Sequence, residues 1–160
     1  MINFSILSFV FTFLLTLQSE NLFAKATPRC LDRLKNELTT DVSYLKSVLA
    51  NKKVNKVQVY AKGKIIELLA DDLKPPYLHQ SYIMEVENGR NPIRLVIVSN
   101  LEFERIPVTI GDEVAVCGEF LRVQGGMIHW THYDPKNKHP HGFTILNSEV
   151  YGDDFVGMNF

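Results

Sequence analysis

The chain has 160 residues, 46% of them hydrophobic and 22% charged, with a formal net charge of −1. This length indicates about one domain that can bury a core unaided. The sequence contains no internal repeats and no low-complexity tract, which excludes a repeat or low-complexity protein.

The first 26 residues are typical of a secretory signal peptide. A continuous apolar run from Ile6 to Leu17 precedes a polar step and then Ala24-Lys25-Ala26, the small-x-small pattern of a cleavage site. The run is too short to cross a bilayer as a helix, and no lipobox precedes Cys30. We therefore expect cleavage after Ala26 and a periplasmic or secreted mature chain without a transmembrane span. An uncleaved N-terminal anchor is the alternative.

Residues 27–56 are predicted to form an amphipathic helix and a linker. Within 28–50, leucine and valine recur at spacings of three and four, with charged residues on the opposite face. Residues 51–56 form the charged linker. Segment 27–56 carries seven Lys/Arg against three Asp/Glu, net +4, whereas residues 57–160 carry nine against 14, net −5.

Two cysteines, Cys30 and Cys117, remain after the expected cleavage. An oxidising compartment would permit a disulfide between them. Such a bond would tie the N-terminal segment to the rest of the domain and add about 4 kcal/mol by restricting the unfolded chain. Two buried free thiols are the alternative, and the sequence leaves both open.

Beyond residue 57 the apolar period changes to two, which predicts strands. Gly63 interrupts the first strand and marks a bulge or bend, and Asn88-Gly89 is a hairpin turn signal. The predicted strands are 57–69, 79–86, 93–98, 113–123 and 127–132, with a closing strand expected in 142–151.

This succession of a long bent strand, a hairpin, a connector and a second hairpin is typical of an OB-like barrel. We predict a mainly β fold, namely a small OB-like barrel of five to six strands over residues 57–151 with the N-terminal amphipathic helix. A small sandwich is the alternative. Residues 152–160 are expected to form a loose tail.

The densest polar cluster runs from His129 to Pro135 (HWTHYDP). In a strand over 127–132, His129 and His132 would lie on opposite faces, but the proline after Asp134 indicates that the strand ends nearby. Either histidine could act with Asp134 in general acid/base chemistry. A His-Asp-Pro turn is more often a structural hydrogen-bond network.

Other chemistries have weaker support. Zinc would need three or four ligands; neither HExxH nor CxxC is present, so we expect no cofactor and keep zinc as an alternative. No G-x-S-x-G elbow accompanies a serine. The net charge of −5 beyond residue 57 argues against nucleic-acid binding, because phosphate attraction supplies most non-specific affinity. The candidate metal donors are His79, His129, His132, Asp134, His139 and His141.

Several motifs within residues 57–151 resemble a bacterial family, the domain of unknown function 3465. The motifs are Gly63–Asp72, His79-Gln80-x-Tyr82, Asn100, Gly111-Asp112, Gly118-Glu119-Phe120, and Gly125–Pro135 with His139 and Gly142. The resemblance implies a short domain behind a signal peptide and brings no assigned activity. The chain departs from the family at Ser99, where a histidine is usual, and at Tyr133, where a second histidine is frequent. Both departures weaken the case for a metal site built from several histidines. The positions that the family pattern picks out are His79, Gln80, Asn100, His129, Trp130, Thr131, His132, Asp134, Pro135 and His139.

We therefore predict an exported binding module for a small molecule, glycan or peptide. The alternative is a hydrolase of nuclease or phosphodiesterase type, with His129 or His132 as acid/base and Asp134 or a metal in support. A third hypothesis is a structural protein that docks a partner through its amphipathic helix. The predicted ligand-binding residues are His79, Gln80, Asn100, Trp130, Thr131 and His139.

Overall fold

The structure, a computed structural model, describes residues 28–123 and 125–152. The predicted signal peptide with its cleavage site, and the tail beyond residue 152, lie outside these ranges. No helix within them is long and apolar enough to cross a bilayer. The elements are α1 (Val42–Ala50), β1 (Val57–Leu68), β2 (His79–Val86), β3 (Ile93–Asn100), β4 (Glu113–Leu121), β5 (Met127–His129), β6 (Phe143–Leu146) and β7 (Glu149–Tyr151).

Five strands close into a barrel. Their order is β1-β2-β3-β5-β4, and β4 returns to pair with β1 along residues Val57–Lys64. The β3–β5 contact is parallel, whereas the other contacts are antiparallel. The predicted mainly β, OB-like barrel is therefore confirmed.

Strand β1 serves two neighbours because it bends near Gly63. Its first half pairs with β4 and its second half with β2. A Cβ on Gly63 would lie 2.4 Å from the carbonyl oxygen of Glu85, so only glycine allows this approach. The register shifts between Ile65 and Glu67, so the bulge lies just after Gly63, close to where the sequence predicts it.

The last two strands extend the barrel sheet rather than close it. Strand β6 lies along β4 beside β5, and β7 pairs with β6. The hairpin turns at Asn147-Ser148, whose φ values of 51° and 67° suit a two-residue turn. Residues 142–151 do not form the expected closing strand, because β4 already closes the barrel against β1.

The helix predicted over residues 28–50 is wrong for its first half, since only Val42–Ala50 is helical. The carboxylate of Asp32 accepts two backbone N–H groups of the following residues, and Lys35 adopts a φ of 67°. Such local side-chain bonds compete with helix formation. The helix begins only after Asp41, whose side chain caps it.

Helix α1 packs Leu45 and Val48 into the barrel core. The guanidinium of Arg122 fixes the end of the helix and the linker by donating to backbone carbonyls there, including those of Val48 and Asn51 at 2.6 and 2.9 Å. Among the largest fully buried side chains of the core are Tyr82, Phe120, Ile65, Met84, Leu95, Ile97 and Ile128.

A disulfide joins Cys30 to Cys117, whose Cα atoms are 5.7 Å apart. Of the two alternatives left by the sequence, the structure has the cross-link. Cys117 lies in β4 and packs with Phe143 and Val150 in a small apolar cluster. The bond therefore ties the irregular segment 28–41 to β4.

Candidate ligand-binding site

A cavity of about 490 Å³ opens where the ends of three barrel strands meet the β5–β6 loop. His79 begins β2 and is the register partner of Asn100, which ends β3. His129 ends β5, and eight residues between Trp130 and His139 in the following loop form a further wall. Side chains that are distant in sequence thus meet at one opening.

Trp130 lies at the centre of a network of rings in this cavity. Its indole stacks on His139 with the ring centroids 4.6 Å apart and the planes 23° from parallel. It meets the edge of the His129 ring at 4.4 Å and that of His132 at 5.8 Å. These separations are those of favourable aromatic contacts.

Two further aromatic rings extend the network towards solvent. Phe103, in the loop after β3, packs on His132 at 4.5 Å. Tyr77, in the loop before β2, stacks near His79 at 6.4 Å, and His79 in turn meets His129 at 5.2 Å. Tyr77 is 62% exposed and Phe103 41%, so both form the rim of the cavity.

Two glycines allow the Trp130 segment to lie close against its neighbours. A Cβ at Gly142 would lie 2.1 Å from the carbonyl oxygen of Trp130, and one at Gly118 would lie 2.6 Å from that of His129. Trp130 has a φ of 55°, which is outside the range of a strand. The strand predicted over 127–132 therefore ends at His129. In a continued strand His132 would lie on the face opposite His129, whereas here both line the cavity.

Asp134 organises the loop after Trp130. Its buried carboxylate accepts the backbone N–H groups of Lys136, Lys138 and His139. Burial alone would raise the pKa of this carboxyl, but the three donors hold the pKa below its ordinary value. The Asp134 oxygens are therefore committed to the shape of the loop.

A second carboxylate, Glu119, lies in the wall formed by β4. It stands opposite His129 in the β4–β5 ladder, and its side chain is only 5% exposed. The guanidinium of Arg33 binds it at 2.9 Å. Because Arg33 follows the disulfide-linked Cys30 by three residues, the N-terminal segment completes this side of the cavity.

His129 is held in its neutral form. Burial, followed by repulsion from His79, His132 and His139, lowers its pKa from 6.5 to about 4. Its Nδ1 atom is buried and has no hydrogen-bond partner among the described residues. At pH 7 the neutral ring can donate one hydrogen bond and accept another.

The family model described as protein of unknown function (DUF3465) matches residues 31–152. The chain belongs to this family. No curated protein and no solved structure matches it significantly. The match begins well before the motifs noted from residue 57, so the DUF3465 region includes Arg33 and α1.

In this DUF3465 domain the predicted ligand-binding residues fall into two groups. Gln80 lies on the other face of β2, where its amide donates to the carbonyl of Ile106 at 2.8 Å and accepts its N–H at 3.0 Å. Thr131 is buried, and its hydroxyl donates to the carbonyl of Val98 at 3.1 Å. The second group lines the cavity and consists of His79, Asn100, Trp130 and His139.

The three catalytic candidates of this DUF3465 domain, His129, His132 and Asp134, also line the cavity. The Nδ1 atom of His132 lies 2.6 Å from the carbonyl oxygen of Tyr133, and Asp134 is committed as described. Within residues 28–123 and 125–152, no group of three or more His, Cys, Asp or Glu side chains is arranged to hold a metal ion. His141 instead accepts the Asp134 N–H at 3.1 Å.

Sequence reasoning missed several residues of the DUF3465 cavity. Glu119 carried a usable signal, because a carboxylate in a strand that is otherwise apolar needs a buried partner. Arg33, Lys56 and Phe103 carried none, since their positions depend on loops and on a segment wrongly predicted as helix. All four line the cavity.

Proposed function

We propose that this chain is an exported binding module whose cavity accepts a small ring-bearing molecule. The main support for this proposal is the ring network. Strand ends and loops bring Tyr77, Phe103, Trp130 and the imidazoles around one opening. Ligand sites are concave, largely apolar and lined by a few polar groups. A cavity of about 490 Å³ lies within their usual size range.

The positions of the supporting residues favour binding over hydrolysis. A general base works best when its pKa is near the working pH, whereas the pKa of His129 is about 4. The carboxylate of Asp134 is occupied by backbone N–H groups, and that of Glu119 by Arg33. The two carboxylates hold the cavity in shape, and His129 presents a neutral ring to a ligand.

The single tryptophan of the chain provides a local readout of binding. Its indole N–H gives one resolved signal in a ¹H–¹⁵N spectrum, which can be followed as ring-bearing probes are added. The probes are four matched pairs: benzoate and benzamide, nicotinate and nicotinamide, phenyl phosphate and phenol, glucuronate and methyl glucoside. We expect at least one pair to shift the Trp130 signal saturably.

Rim variants test whether the binding lies in the cavity. Replacing Tyr77 and Phe103 together with alanine should weaken binding about tenfold, because ring contacts contribute about 1 kcal/mol beyond their buried area. Ile110→Ala is the matched control, since Ile110 is 66% exposed and lies outside the cavity. A Trp130 signal that no probe shifts at millimolar concentration would overturn the proposed function.

Export is supported by the N-terminal sequence and by the Cys30–Cys117 disulfide, since disulfides persist in oxidising compartments. We expect the mature protein to begin at Thr27 and to be recovered from the periplasm or the medium. N-terminal sequencing of fractionated cells measures this. Recovery of the full-length chain with the cytosol would contradict it.

A further inference from the structure

We infer that the ligand carries an acid group next to its ring, and that lysines at the edge of the cavity bind this group. This inference rests on the proposed function and names the chemistry of its ligand. The charge of the cavity differs in sign from that of the whole chain. The chain has a formal net charge of −1, whereas the charged side chains that line the cavity sum to +1 with histidine neutral.

The carboxylates of the cavity are already engaged. Arg33 neutralises Glu119 at 2.9 Å, and three backbone N–H groups bind Asp134. Glu102 is exposed and exchanges hydrogen bonds with the neighbouring Asn100. Of the three carboxylates, Glu119 is therefore paired with a cation, Asp134 is bound by the loop, and only Glu102 is exposed at the edge of the cavity.

The ammonium groups of the cavity are not engaged in this way. In the part of the chain that the structure describes, Lys56, Lys136 and Lys138 make no ion pair. Lys136 and Lys138 belong to the loop that Asp134 shapes, so their backbone is fixed. Ammonium groups without an ion-pair partner at the edge of a cleft attract an incoming anion.

The rings set the second requirement. Trp130 stacked on His139 gives a flat apolar wall, and the neutral His129 at its edge adds no charge of its own. A ring lying along this wall would place an attached carboxylate or phosphate towards the lysines of the adjacent loop. A small ring-bearing acid satisfies both features, whereas a neutral ring uses only one.

The matched probe pairs test this directly by isothermal titration calorimetry. Each acid should bind about tenfold more tightly than its uncharged partner, as expected for a charge-assisted contact at a partly exposed site. The preference should shrink at high salt, because exposed charges are screened. The glucuronate pair against the three aromatic pairs tells whether the ring is a sugar or an aromatic system.

Charge-removing variants locate the contact. Lys136→Gln with Lys138→Gln should abolish the preference for acid over its neutral partner. The matched control, Lys46→Gln with Lys53→Gln, removes two exposed lysines that lie outside the cavity and should keep the preference. Equal affinities within every pair would overturn the acid inference and leave ring binding standing. Binding of neither member of any pair would overturn the proposed function itself.

Discussion

Acidification should destabilise the fold through one buried ring, His129. Its folded-state pKa of about 4 lies below the ordinary 6.5, so the unfolded chain takes up this proton more readily. The stability that His129 contributes is complete above about pH 6.5 and is lost as the pH falls through about 4. One pKa unit corresponds to about 1.4 kcal/mol, which gives a loss of about 3 kcal/mol over this range.

The origin of this loss is the burial of the ring and, after it, repulsion from the imidazoles that surround it. His79 faces it from β2, His132 and His139 from the β5–β6 loop, and Glu119 from the neighbouring strand. Protonation would place a charge in a buried position beside three imidazoles. The carboxyl of Asp134, whose pKa is lowered below 3.8, loses its contribution only at more acidic pH, so the two effects separate.

Urea unfolding at several pH values between about 7.5 and 4.5 measures this stability. Histidine ring signals followed by NMR give the pKa of His129 itself. His129→Gln should remove most of the pH dependence between about pH 6.5 and 4. A His129 midpoint at or above 6.5, or an unchanged pH dependence in His129→Gln, would refute the reasoning.

Three further predictions concern the residues that hold the site together. Gln80→Ala should lower the free energy of unfolding by about 2–4 kcal/mol, because it leaves a buried backbone N–H and C=O unpaired. Arg33→Ala should lower it by about 1–2 kcal/mol, since it orphans a buried carboxylate whose partner is itself half-exposed. Replacing Cys30 and Cys117 together with serine should lower it by about 4 kcal/mol, because the unfolded chain is then no longer restricted by the cross-link. Urea unfolding measures all three.

Each of these predictions has a matched control. Asn88→Ala removes an exposed amide that bonds a turn carbonyl and should cost less than about 0.5 kcal/mol. Arg29→Ala breaks a 3.9 Å pair with Glu37 in which both side chains are about half-exposed, and should cost less than about 1 kcal/mol. For the disulfide, reduction of the unaltered protein should match the serine variant. For Gln80 and Arg33, test and control variants of equal stability would contradict the structural roles assigned here. For the disulfide, a serine variant as stable as the oxidised protein would contradict its role.

The barrel was predictable because its signals are local. The period of two, the turn at Asn88-Gly89 and the interruption at Gly63 each report a constraint that neighbouring residues impose on the backbone. The number and succession of these segments are typical of an OB-like barrel. The segment before Asp41 was not predictable in this way, because its leucine spacing suits a helix while Asp32 and the disulfide at Cys30 favour an irregular path.

The candidate site was predictable in part. His129, Trp130, His132 and His139 come from one dense polar stretch of the sequence, and they do meet at one cavity together with His79, whereas His141 lies outside it. Gln80 was included although the alternation of β2 already placed it and His79 on opposite faces. The proline after Asp134 indicated that β5 ends nearby, but its end at His129 was not predictable, because a tryptophan at positive φ has no sequence signature and depends on the close approach that Gly142 permits.

The N-terminal segment connects the redox state of the chain to its cavity. Arg33 covers the buried carboxylate of Glu119, and the position of Arg33 depends on the bond at Cys30 three residues earlier. In a reducing compartment this segment would keep only its hydrogen bonds and packing, and a half-exposed ion pair alone holds a chain weakly. Release of Arg33 would expose an uncompensated carboxylate in the wall of the cavity and repel the acid ligand inferred above. On this reasoning the cavity is complete only where the disulfide forms, which is the compartment to which the N-terminal sequence is expected to direct the chain.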